Sequence, residues 1–282
     1  MTTFGKTRYV IGLLGRCVTL DRTYKAITSI RKMLRLLSSK SSRTVFKYYN
    51  LFRSFTAIGY TLKTASASSV VIKRNLKYYL VCDLEATCVS HPQQDWEPEI
   101  IEIGAILLDQ NLKKISEFQK FVCPDVNKIL TPFCLGLTKI RQRDVDQADP
   151  FPNVYGEMLK WMTENGLQFK PTEQNFTFVT DGIFDCNKFI RNQCNLSMIE
   201  YPKWAIEFSN IKKHFRDIVP HKQRKNLRST NLTGMLKVLK IPMDGQLHRA
   251  MDDAKMVVKI MEGLRKRRPN YKFTANETIH KD

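Results

Sequence analysis

Tyr78-Tyr79-Leu80-Val81-Cys82-Asp83-Leu84-Glu85 begins as a buried strand and ends in two acids. The apolar run suits a central strand of a sheet. Side chains two apart leave a strand on the same face, so Asp83 and Glu85 project together. Two carboxylates held side by side repel, and a hard divalent cation bound between them removes that cost. A strand that stopped at Leu84 would instead leave both acids in an exposed loop. The stretch alone does not choose between the two.

Downstream the pattern alternates. Residues 99–108 and 115–122 read as strands joined by the hairpin connection Asp109-Gln110-Asn111-Leu112. A helix is predicted over 152–164, with Val154, Met158 and Trp161 along its stripe. Residues 176–180 form another strand that runs straight into a helix over 183–194. Residues 204–219 mix aromatic and basic side chains. One helix, capped near Thr230, runs to Lys240, and another runs from about Arg249 to Arg267. Three strands in a meander followed by βα alternation predict an α/β fold, a mixed β-sheet flanked by helices. The expected boundaries are a basic N-terminal arm over 1–75, a folded domain over 76–268 and a disordered tail over 269–282.

Charge sets the arm apart. Of the +19 formal net charge, residues 1–75 carry +14, with 15 Lys and Arg against the single acid Asp21. Within the arm, Ile27, Ile30, Met33, Leu34 and Leu37 share one helical face, and Lys25, Arg31, Lys32 and Arg35 another. A basic, acid-poor amphipathic segment of this kind fits a mitochondrial transit peptide. It fits equally a nucleic-acid-binding arm, a nuclear address, or a start codon assigned too far upstream, so a mitochondrial or a cytoplasmic and nuclear location stays open. Seven scattered cysteines without a CxxC pair argue against a disulfide framework or a structural zinc site. No run approaches about 18 uninterrupted apolar residues, so no membrane span is expected.

Two further places carry acids where apolar residues belong. Asp185 starts the helix that follows strand 176–180, a strand-to-helix junction of the kind where open α/β sheets collect ligands. Asp181 competes with it, or serves as a plain N-cap. On the last helix, Asp253 lines up with Val257, Ile260 and Leu264, whereas Asp252 lines up with Lys255 and Lys259. Asp253 therefore points inward, as a ligand or as a carboxylate favoured by the helix dipole. His248, just before that helix, would sit beside it as a candidate general base.

Taken in order, Asp83-Leu84-Glu85, Phe184-Asp185 and His248-x4-Asp253 resemble the DEDDh pattern of the Eri-type 3′→5′ exoribonucleases, which have an RNase H-like fold. Residues 81–88, 99–102, 137–140, 145–148, 180–185, 210–213 and 247–254 carry the closer matches, within about 77–265. The resemblance implies that Asp83, Glu85, Asp185 and Asp253 bind two Mg²⁺ or Mn²⁺ ions, with Glu85 and His248 catalytic. His248 would deprotonate the attacking water, and 5′-mononucleotides would be released from RNA 3′ ends, single-stranded or overhanging. It also implies that Glu85, the backbone at Ala86, Phe184 and His248 hold the terminal nucleotide. Position 184 is Phe where close relatives often carry Trp, and no SAP-like segment is legible before the nuclease core. The stretch Lys212, Lys213, Arg216, Lys222, Arg224, Lys225 and Arg228, with Phe208 and Phe215 as neighbours, fits an RNA backbone track or a solvated face. The same pattern serves a DNA exonuclease, and a silent nucleic-acid-binding adaptor is a rival of another class. Protein partners are not legible.

Overall fold

The computed structural model describes residues 75–280 apart from 93–95, 171, 226 and 228. Residues 1–74 of the arm, with its amphipathic segment, lie outside the described residues, as does Arg228.

In chain order the elements begin with strands β1 (Tyr78–Ala86), β2 (Ile100–Asp109) and β3 (Lys114–Phe121). Helices α1 (Pro132–Thr138), α2 (Gln142–Asp146) and α3 (Phe151–Glu164) follow, then β4 (Phe176–Thr180). A π-helical turn, Asp185–Ile190, leads into α4 (Arg191–Ser197). Next come β5 (Glu207–Asn210), α5 (Ile211–Ile218), α6 (His221–Arg224), α7 (Leu232–Leu239), α8 (Ala250–Arg267) and β6 (Glu277–Thr278). They build one six-stranded sheet in the order β3-β2-β1-β4-β5-β6. Pairs β1/β2, β2/β3 and β5/β6 are antiparallel, and β1/β4 and β4/β5 are parallel. This is the mixed, helix-flanked sheet that the alternation predicts.

Alternation along β1 divides the core. Leu80, Cys82 and Leu84 face one layer with Val154, Met158 and Met162 of α3 and Trp204. Tyr79 and Val81 face the other, with Ile211 and Phe215 of α5, Met235 of α7 and Val257, Ile260 and Leu264 of α8. Asp83 and Glu85 continue the second face. At α3 the expected stripe holds, with Trp161 half-buried against Phe118 and its indole N–H donating to Ser116 Oγ at 2.9 Å.

Two expectations are corrected. Residues 270–280 are not a disordered tail: Phe273 is fully buried, and β6 pairs with β5 through Glu207–Thr278 and Phe208–Glu277. His214 fastens this segment, bonded to Tyr271 Oη at 2.8 Å and to the Thr274 carbonyl at 3.1 Å. Its core contacts come from Phe273, Ile279 and the half-buried Tyr271, without a helix or strand period that would register as an element in a polar sequence. The aromatic neighbours of the basic stretch, Phe208 and Phe215, are both fully buried in the core and face no ligand. They follow the strand and helix periods of β5 and α5 instead.

Candidate active site

β1 pairs with β4 only from Tyr78 to Val81, and β4 ends at Thr180, so Cys82–Ala86 run on past it. That leaves a crevice at the carboxyl ends of two parallel central strands, where open α/β sheets place their ligands. Asp185, entering from the π-helical turn, accepts the Leu84 N–H at 3.2 Å. Single π-turns are rare and concentrate at functional sites. From the other side, α8 brings Asp253, whose Oδ2 accepts the His248 N–H at 3.1 Å.

The four acids are therefore gathered, and all are buried: Asp83 is 7% exposed, Glu85 8%, Asp185 4% and Asp253 6%. Asp252 stays on the wet side, paired with Lys255 at 3.4 Å, as the helical phase requires. His248 is exposed at the rim. Two sets of ligand atoms each lie within 4.8 Å of one another, Glu85 with His248 and Asp253, and Asp83 with Asp181 and Asp185. Asp181 thus joins the cluster instead of capping a helix, and its Oδ2 also meets Lys212 Nζ at 3.1 Å.

Burial above all, then mutual repulsion, raises these carboxyl groups. Asp83 is pushed well above the usual carboxylate range, by burial and then by Asp185, Glu85 and Asp253. Glu85 rises to about 9, by burial and then Asp253, and Asp185 to about 8, by burial and then Asp181. Asp253 rises to about 7 by burial, opposed by the His248 N–H. Lys212, beside Asp181, opposes the rise at Asp185 without cancelling it, so the cluster is short of counter-charge. Asp253 Oδ1 is buried without a hydrogen-bond partner, which is what an oxygen awaiting a ligand looks like. The donors are carboxylate oxygens and one imidazole, a set suited to hard divalent cations.

The remaining expected contacts divide. Ala86 ends β1, buried beside Glu85, and Phe184 stands 64% exposed one residue before Asp185. Lys212 is tied to Asp181, and Lys213 to Glu277 at 2.9 Å and the Asn276 carbonyl at 3.0 Å. Arg224 donates to the Val219 carbonyl at 3.1 Å, whereas Lys222 and Lys225 are exposed. The basic stretch is therefore partly spent on the fold. Sequence reasoning missed the residues that seat α8, which are Glu102, Gly104 and Arg249. A Glu inside the otherwise apolar 100–108 run was the available signal.

A sheet of this order with acids massed at its parallel centre defines an RNase H-like nuclease domain. The chain belongs to the RNase_T exonuclease family, whose model matches residues 80–261. It is 36% identical over 206 residues to the 3′-5′ exoribonuclease 1 of Rattus norvegicus, covering 72% of this chain and 56% of that one. It is 32% identical to the 3′-5′ exonuclease crn-4 of Caenorhabditis elegans, over 71% of this chain and 66% of the relative. A solved 3′-exonuclease, described as recognising the 3′ end of a histone mRNA stem-loop, superposes with a TM-score of 0.64 at 34% identity. That match covers 73% of this chain and 88% of the other. The chain spans about half the length of the exoribonuclease relatives it matches.

Proposed function

We propose that this chain is a metal-dependent 3′→5′ exoribonuclease that releases 5′-mononucleotides from RNA 3′ ends, single-stranded or overhanging. The convergence of Asp83, Glu85, Asp185, Asp253 and His248 at one end of the sheet carries this reading. The four carboxylates would hold two Mg²⁺ ions, or Mn²⁺, with Asp181 adjoining them. Bound, the cations would activate water and stabilise the leaving oxygen of an in-line displacement.

The chain's own groups do the rest. His248, at the rim beside Glu85 and Asp253, takes the proton of the attacking water on its imidazole. Glu85 and the backbone at Ala86 hold the terminal nucleotide, and the exposed ring of Phe184 offers a stacking face. Lys222 and Lys225 draw in the phosphate backbone, with Lys212, Lys213 and Arg224 lending charge from anchored positions.

Trimming of 5′-labelled RNA and DNA oligomers side by side, with Mg²⁺ or EDTA, tests the reading. RNA should shorten stepwise from its 3′ end only with the metal, and Asp83→Ala or His248→Ala should greatly reduce the rate without unfolding the domain. DNA-only trimming would move the assignment to a DNA exonuclease, a reading that crn-4, named without its sugar, keeps in view. Binding without cleavage would mark a silent adaptor.

A further inference from the structure

We propose that Glu102 is a positioning residue for this reaction: through Arg249 and the first N–H of α8 it sets where His248 stands relative to Glu85 and Asp253. The inference rests on the exonuclease reading above.

In the β1/β2 ladder Glu102 lies opposite Glu85, and Gly104 opposite Asp83. Glu102 is fully buried yet belongs to neither set of ligand atoms. A buried carboxylate costs several kcal/mol unless paired and hydrogen-bonded, and here four donors meet it. Arg249 grips it with Nε at 3.0 Å and Nη2 at 3.1 Å, the Ala250 N–H reaches it at 3.1 Å, and Gln119 Nε2 at 2.7 Å. Arg249 also lies over the Phe121 ring, 5.4 Å from its centroid.

The Ala250 bond shows what this arrangement does. Helices are usually capped by a Ser, Thr, Asp or Asn at the N-cap. α8 has Arg249 there, whose side chain makes no cap bond. The cap comes instead from Glu102, on the strand beside the ligand acids. Gly104 completes the seat, because a Cβ at that position would collide with the backbone of Ala250 and Met251. One carboxylate thus starts the helix that carries Asp253 and fixes the residue next to His248 to the neighbour of the ligand strand. His248 itself has φ +60° and follows the exposed residues 242–246. Its direction is therefore set largely by this clamp and by its N–H bond to Asp253.

The test uses the full chain with Glu102→Gln, which keeps shape and an acceptor but loses charge, and Arg249→Lys, which keeps charge but loses the fork. At saturating Mg²⁺, kcat on a 5′-labelled RNA oligomer should fall about 10- to 100-fold in each, the scale of a small misplacement at a catalytic group. KM and the Mg²⁺ half-saturation should move less than about two-fold, and the double variant should be no slower than the slower single one. The His248 ring signals in ¹H–¹⁵N spectra should shift in both. Unchanged kcat, a loss confined to KM or metal demand, or multiplying losses would overturn the inference and leave Glu102 a stabilising residue only. If Glu102→Gln fails to fold, Arg249→Lys carries the comparison. If the wild-type chain trims no RNA, the exonuclease reading fails, and unshifted His248 signals would then separately overturn the positioning role.

Discussion

Removing divalent cations should make this protein lose stability as the pH rises, the reverse of what carboxylate-rich proteins usually do. The reason lies in the direction of the shifts. Glu85, Asp185 and Asp253 hold their protons to about 9, 8 and 7 when folded, against about 4 when unfolded. The folded state therefore binds more protons across this window. The stabilisation is fully present below about pH 4 and disappears as the pH passes the folded values. For Asp253 alone, raised to about 7, the loss between pH 5 and pH 8 is on the order of 3 kcal/mol. The four groups repel one another, so their losses do not add. A domain of this size moves its midpoint by about 2–4 °C per kcal/mol, which gives a fall of roughly 6–12 °C. Mg²⁺ in hundredfold excess over its Kd should return about 3 kcal/mol at pH 8, and much less at pH 5, where protons occupy the acids. Thermal melts in EDTA and in Mg²⁺ at both pH values measure this, and Asp83→Asn should flatten the EDTA trend. An EDTA midpoint that is level or rises from pH 5 to 8 would refute the reasoning, as would a melt at pH 8 indifferent to Mg²⁺.

Three further outcomes are expected. Phe184→Ala should raise KM for RNA about 5- to 100-fold with little change in kcat, the worth of one stacked base. Phe273→Ala should cost about 3–5 kcal/mol in urea unfolding, because the ring is fully enclosed by the second core layer. Gly104→Val should lower both stability and kcat, the former by about 1–3 kcal/mol or more, since the new side chain meets helix backbone that cannot rotate away.

Much of the site was legible because periodicity is local. The period of two along β1 put Asp83 and Glu85 on one face, and the period of 3.6 along α8 turned Asp253 inward and Asp252 outward. What stayed hidden depends on neighbours that sequence order does not reveal. That Glu102 faces Glu85, or that Gly104 admits α8, follows from strand register. Asp181 and Asp185 could not be ranked by spacing, and the structure brings both to Asp83, across the bend at 181–183 that joins β4 to the π-helical turn. The basic run 265–268 shows the same limit: in sequence it fits a nuclear address or a helix end favoured by the dipole, and in the fold Arg265 packs over Tyr79 and Phe273 and Arg267 donates to the Val238 carbonyl.

The left-handed backbone of His248 (φ +60°) has a consequence for any attempt to toughen this protein. An L-residue in that conformation costs about 1–2 kcal/mol, and glycine escapes that steric cost for a smaller entropic one of about 0.5–1 kcal/mol. Laboratory evolution that scored heat resistance alone would find glycine at position 248 a cheap improvement. It would enrich sturdier molecules stripped of their imidazole, so such a campaign must screen for turnover in every round.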